Sequence, residues 1–277
     1  MQNKTSKLKT FFAFKRKYLC IPYFVFLILF IIIPIVIIVG YAFTNDQGAF
    51  SFDAFVNFFQ STAKLRVLLT SVFVALQTTL ICLLIGYPLA YFLANKKYNK
   101  NVVLVTLFIA PMWINFVLRT GATRDLLTWI YGWFGTKTGN LPYTSTLIGM
   151  VYNYLPFVIL PLYTTMLKLD KSQMEAAADL GCNPRQVFFK SVLPQSIPGI
   201  VSACSMTFMP TMSSYVISDV LSEAKITLFG NYIYLEFSQR LWNDGSFMAL
   251  IMLIIIGVTM FLTRNVEQDD ARGGGLW

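Results

Sequence analysis

The sequence has 277 residues, of which 56% are hydrophobic and 13% charged, with a formal charge of +9 and no histidine. Soluble domains carry about a quarter charged residues, so this composition excludes a soluble globular protein and points to a polytopic membrane protein. The missing histidine excludes His-based triads, HExxH metal sites and histidine proton relays. Nor does the positive balance imply nucleic-acid binding, because lysine and arginine cluster beside apolar runs.

Residues 1–18 are basic, carrying Lys4, Lys7, Lys9, Lys15, Arg16 and Lys17. The apolar run at 19–43 is too long for the hydrophobic region of a signal peptide and lacks a small-residue cleavage site. It reads as a first span with the amino end inside. Residues 45–66 read as an external segment lying partly on the surface. A second span is expected over 67–94, followed by a basic turn with Lys96, Lys97 and Lys100. The third span is expected over 101–118. It returns outward to an external segment at 119–143, where Trp129 and Trp133 suit an interfacial belt. Spans four, five and six are expected over 144–167, 196–218 and 246–263, with 219–245 external. The result is one six-span, all-α domain over 19–264, with a basic cytoplasmic segment before it and a cytoplasmic tail at 265–277. Lysine and arginine favour the inside segments by about two to one, the direction the positive-inside rule requires. Cys20, Cys82, Cys182 and Cys204 form no CxxC pair, so neither a disulfide framework nor a zinc site is indicated.

Between spans four and five lies a stretch that is not itself hydrophobic, residues 171–198. Ser172 with Glu175 three residues on reads as a capping box that starts a helix. Ala176, Ala177 and Ala178 propagate it without side-chain entropy cost, and Gly181 supplies the left-handed residue that closes it. Asn183 and Pro184 read as the N-cap and first residue of a second helix, which Leu193-Pro194 is expected to end. An alanine-faced helix closed by glycine is low in relief. The residues alone leave two readings open: insertion into another protein's groove, or an ordinary amphipathic loop.

The order Glu175-Ala176-Ala177, then Gly181, then Leu193-Pro194 resembles the EAA motif of ABC-importer permease subunits. The resemblance implies that the loop is a coupling helix docked into a separate ATPase subunit. No Walker A loop occurs in this chain, so ATP and magnesium would be bound by that partner. One position departs: the family usually has isoleucine two residues before the Leu-Pro pair, and this chain has Ser191. Val192 remains to supply an apolar contact.

The fifth span is the least apolar, with Ser202, Ser205, Thr207, Thr211, Ser213, Ser214 and Ser218 around Pro210. Small hydroxylated residues let membrane helices approach closely; alternatively they line a polar pathway, with Pro210 loosening the helix so that it can bend. Asp219 stands at its outer end and Tyr215 one turn below, on one helix face roughly 6 Å apart. Glu223 continues the line if the helix does. A carboxylate beside an aromatic face suits a cation; the alternative is a solvated loop acid. On the third span, Trp113 and Asn115 either face the pathway or, for Trp113, pack beside Pro111. Arg119 reads as an interfacial anchor or an ion-pair partner of Asp219.

Several further stretches are similar to the permease subunits of spermidine/putrescine importers, in particular the first of the two. They are Gly86-Tyr87-Pro88 with Phe92-Leu93-Ala94, then Pro111, Trp113, Asn115 and Arg119, then Leu155-Pro156-Phe157 through Leu169-Asp170-Lys171 into the loop. Ser218-Asp219 follows, with Lys225, Leu228, Gly230 and Asn231. Glu223 lies outside that pattern, and Gly121 departs where relatives often place a tyrosine. The resemblance implies a six-helix permease of the type I (MetI-like) importer fold in a bacterial cell membrane. It would be a non-catalytic subunit paired with a second, similar permease, two ATPase subunits and an extracytoplasmic polyamine-binding protein. Three alternatives stand beside it: an importer permease for another small solute, an ATP-independent secondary transporter or channel, and a membrane scaffold. A secondary transporter often carries ionisable residues inside its spans, and no acid is found at mid-span.

Overall fold

The computed structural model describes residues 20–45, 47–95 and 103–273. The basic stretch 1–18, the turn with Lys96, Lys97 and Lys100, and the residues beyond Gly273 lie outside them. Eleven helices follow in order: α1 (Cys20–Ala42), α2 (Asp53–Gln60), α3 (Thr62–Ala94), α4 (Val103–Ile109, extended by a 3-10 turn, Ala110–Trp113), α5 (Phe116–Trp133) and α6 (Pro142–Leu167). Then come α7 (Lys171–Asp179), α8 (Pro184–Ser213), α9 (Val216–Ser222), α10 (Phe229–Ser238) and α11 (Trp242–Gly273). Helices α1, α3, α6, α8 and α11 are long and apolar enough to cross a membrane, and α4 with α5 makes a sixth if that bent pair counts as one span.

The centre is a three-helix packing of α3, α6 and α8. Its core is built from Val74, Cys82, Met150, Val158, Leu162 and Ala203, all essentially buried. Two glycines set the approach distances. A Cβ at Gly86 would sit 2.8 Å from Val158 Cγ1, and one at Gly199 would sit 2.6 Å from Thr165 Oγ1. Small residues at such crossings let helix backbones close together where no hydrophobic drive from water assists. At one end of the bundle, Phe58, Phe229, Phe247 and Met248 form a second core that ties α2 and α10 to α11. The spans α1 and α11 pack on each other outside the centre.

Four boundaries differ from expectation. First, α3 begins at Thr62, so Lys64 is not a solvated external charge: it is 7% exposed, 2.7 Å from Asp244 Oδ2 and 3.4 Å from Glu236 Oε1. Second, the third span is bent by 99° between α4 with its 3-10 turn and α5. Pro111 starts the tight turn, and Asn115 restarts the helix, its Oδ1 accepting the backbone N–H groups of Val117 at 2.9 Å and Leu118 at 3.4 Å. Residues 119–133 therefore continue a helix instead of forming a loop.

Third, Leu193-Pro194 does not end a helix. A π-turn over Phe188–Val192 precedes it, and Leu193 N–H donates to Phe188 O, five residues back. The wider turn accommodates the ring and the missing donor of Pro194, so the helix runs on. The same device precedes Pro34 in α1, where Ile33 N–H donates to Ile28 O. Fourth, the fifth span starts at Pro184 and stops at Ser213, three residues after Pro210; the chain breaks at Ser214-Tyr215 and resumes as α9.

Candidate functional site

Two regions that the sequence singles out lie at opposite ends of α8. The first is the loop between α6 and α8. Its helix, α7, has no buried residue, and Leu180 and Phe189 are 86% and 64% exposed. The cap is not Ser172 with Glu175. Asp170 takes the N-cap position, and its Oδ1 accepts Ser172 N–H at 2.9 Å. A carboxylate two residues earlier competes successfully for the same first-turn donors.

The far end is as expected. Gly181 has φ +84°, with Cys182 N–H donating to Ala177 O at 3.1 Å and Gly181 N–H to Ala178 O at 2.9 Å. That is the double-bonded glycine closure that satisfies the orphan carbonyls. Asn183 Oδ1 accepts Gln186 N–H and Gln186 Oε1 accepts Asn183 N–H, each at 2.9 Å, with Pro184 at the first helical position. Glu175 and Ala176 are exposed and Ala177 is half-buried, on a helix that packs on the base of α8. Glu175 also lines a cleft of about 350 Å³ with Tyr91, Met166 and Leu169.

The departure at Ser191 has a local explanation. Ser191 is 8% exposed and its Oγ accepts Gln195 Nε2 at 3.2 Å, while Gln195 Oε1 accepts Asp170 N–H at 3.0 Å. A polar chain thus ties the start of α7 to α8 next to Pro194. Val192 is buried, so the apolar contact is kept alongside it. Tyr87 of α3 shares a 2.8 Å hydrogen bond with Ser196, and the rings of Tyr87 and Tyr91 meet Phe188 edge-on.

The second region is the break at Ser214-Tyr215. Asp219 N–H donates to Tyr215 O at 3.0 Å, so the two residues are one helical turn apart, and both side chains are exposed. The Tyr215 ring stacks on Tyr234 at 5.2 Å between centroids and 8° between planes. Tyr234 was not singled out by sequence; an isolated tyrosine in an external segment carries no distinguishing signal. Gly230 and Asn231 brace the break. A Cβ at Gly230 would meet Ser213 O at 2.4 Å, and Asn231 Nδ2 donates to Tyr215 O at 3.2 Å. Ser214 is 7% exposed.

Glu223 does not extend the line from Asp219. Helix α9 ends at Ser222, and Glu223 takes a left-handed conformation (φ 54°), 4.0 Å from Lys225 Nζ. Lys225 in turn donates to Gly139 O, and Ser218 donates to Ile226 O. These bonds hold Ser218, Lys225 and their neighbours together as one turn. Several hydroxyls of the fifth span turn inward: Thr211 bonds Thr207 O, and Ser213 bonds Met209 O and Pro210 O.

Trp113 is 77% exposed, which removes the packed-core alternative, and Asn115 serves as the cap of α5. No hydrogen bond or ring contact joins either of them to Tyr215 or Asp219 among the described residues, although α5 and α9 pack together. Arg119 is neither an interfacial anchor nor a partner of Asp219. It is 6% exposed and bonded to Asn153 and to the Pro111 carbonyl.

No family model matches the chain. Individual relatives do. The "Spermidine/putrescine transport system permease protein PotB" of Escherichia coli is 34% identical over 252 residues, covering 85% of this chain and 92% of that protein. The protein of the same name from Haemophilus influenzae is 32% identical over 272 residues (89% and 94%), and the PotB homolog of Mycoplasma genitalium is 30% identical over 239 residues (83% and 82%). Among solved structures, a bacterial ABC transporter involved in import of the acidic polysaccharide alginate superposes with a TM-score of 0.65 at 18% identity. It covers 90% of this chain and 94% of that one. The same kind of transporter in complex with an alginate pentasaccharide-bound periplasmic protein gives 0.64 at 17% identity. The bent third span, the unbroken α8 and the exposed loop are thus built on the fold of ABC importer permeases. The chain belongs to the PotB family of spermidine/putrescine transport system permeases.

Proposed function

We propose that this chain forms one half of the translocation pathway of an ATP-driven polyamine importer in a bacterial cell membrane. Its sequence relatives are named for spermidine/putrescine transport, and its exposed chemistry is consistent with an organic cation. A carboxylate, Asp219, stands one turn from Tyr215, which is paired with Tyr234. Carboxylates and aromatic faces attract ammonium groups.

The observation that carries the mechanism is the continuity of α8. It spans Pro184–Ser213, 30 residues, on the order of 45 Å at 1.5 Å per residue. One end carries the docking loop and the other ends at the break beside Tyr215. A separate ATPase gripping Glu175, Ala176, Ala177 and Gly181 would displace the near end. The polar tie from Asp170 through Gln195 to Ser191 passes that displacement into α8 close to Leu193 and Pro194. The far end then shifts Ser214 and α9, and with them Tyr215 and Asp219. Trp113 and Asn115 stand on the other wall, at the elbow of the third span.

This chain does no covalent chemistry in that cycle; ATP and magnesium are held by two ATPase partners. A second permease subunit supplies the other half of the pathway. A polyamine-binding protein delivers cargo outside, and both termini of this chain are cytoplasmic. Uptake of labelled spermidine by the reconstituted complex tests this reading. Uptake that needs ATP and is competed by putrescine supports it; uptake without an ATPase removes it.

A further inference from the structure

Arg119 is a cation shut inside a membrane protein without a carboxylate. Among the described residues no salt bridge reaches it. Its charge meets neutral groups only. Nε donates to Asn153 Oδ1 at 2.7 Å, Nη1 to Pro111 O at 2.8 Å and Nη2 to Asn153 O at 3.4 Å, and the Tyr152 ring lies 5.9 Å away. Asn153 is fully buried and is itself fixed, its Nδ2 donating to Gly149 O at 2.8 Å. A buried charge held only by dipoles is costly, and an apolar residue would fill the space more cheaply. The arrangement therefore calls for a reason beyond packing.

The three acceptors lie on two different elements. Pro111 is in the tight turn that ends the first arm of the bent span, whereas Asn153 is in the middle of α6. Arg119 itself is in the first turn of the second arm. One guanidinium thus joins both arms of a 99° elbow to the central bundle. The first arm needs such a tie. From Val103 to Trp113 only Val105 is buried. Two residues connect the arms, Ile114 and Asn115. Trp113 stands immediately before that connection and Asn115 belongs to it, and Trp113 is freely exposed. A planar fork with donors pointing in fixed directions can serve two acceptors at once; an ammonium on a flexible stem cannot hold the same geometry.

We propose that Arg119 is a positioning residue, which locks the elbow of the third span so that Trp113 and Asn115 are held in place on the pathway wall. The placement of that wall rests on the function proposed above; the locking does not. The test uses the whole importer complex, with spin labels on a non-natural amino acid at positions 107 and 126, exposed sites on the two arms. The native residue should give one narrow distance. Arg119→Lys and Arg119→Gln should broaden it and raise the KM for spermidine uptake about tenfold, the loss of one charge-assisted contact. Asn153→Leu, which leaves Arg119 charged but removes an acceptor, should broaden it as well. It also carries the test if the Arg119 variants do not assemble. A narrow distance and native KM in Arg119→Lys, or a narrow distance in Asn153→Leu, would overturn the assignment. Because the distance is read without cargo, a native complex that carries no polyamine, while the substituted complex loosens, refutes the polyamine reading alone.

Discussion

Tyr215 and Tyr234 stack face to face, 5.2 Å between centroids, at the point where α8 breaks and α9 begins. Tyr215 stands one turn before Asp219, and all three side chains are exposed. Under the proposed function these three would form a cation platform of one carboxylate and two rings. Contacts of a cation with an exposed ring contribute about 0.5–1 kcal/mol, rising to about 2 when desolvated. Asp219→Asn and Tyr234→Leu should each raise the KM for polyamine uptake by about three- to thirtyfold, since 1.4 kcal/mol is a factor of ten. The amount of assembled complex should not change. Competition uptake assays on reconstituted complex read this directly; native kinetics in Asp219→Asn would remove it from the pathway.

The cap of α7 is Asp170, not Ser172. Replacing an N-cap by alanine costs about 1 kcal/mol. Asp170→Ala should therefore speed hydrogen exchange of the amides from Glu175 to Asp179 by about fivefold, whereas Ser172→Ala should leave it near native. Equal effects of the two substitutions would contradict the assigned cap.

Lys64 is closed in by Asp244 and Glu236, and Glu236 Oε2 has no partner among the described residues. Removing the one cation would leave two acids facing each other in a buried place. Lys64→Met should destabilise the protein by about 3–5 kcal/mol, the usual cost of breaking a buried pair from one side. Adding Glu236→Gln should restore part of it. Thermal melting of the solubilised protein, alone and in complex, reports both.

The loop between α6 and α8 was legible because its signals are local. Gly181 closes a helix and Asn183-Pro184 opens one by backbone chemistry within a few residues, and both stand where the sequence places them. What was not legible depends on contacts from elsewhere or on subtle helix geometry. Leu193-Pro194 reads as a stop, but the π-turn before it carries the helix through. Arg119 reads as an outer charge because a lone cation in an apolar chain usually seeks water; only the fold brings Asn153 and Pro111 to it. Glu223 fails to continue the line from Asp219 because α9 stops one residue earlier, in a turn fixed by Ser218, Ser222 and Ile226. Ser191 looks like a lost apolar contact and is in fact one link of the tie to Asp170.

In the proposed function a separate ATPase drives transport through the loop closed by Gly181. That residue has φ +84°, yet among the described residues, its chain neighbours apart, an added Cβ meets no atom within 4 Å. A bulky residue there strains the turn by about 1–2 kcal/mol, and its Cβ points into open space. The decisive measurement is ATP-driven spermidine uptake by the complex carrying Gly181→Leu, with membrane insertion checked in parallel. Loss of coupled uptake from normally inserted protein is the expected result; native uptake from that variant would contradict the account.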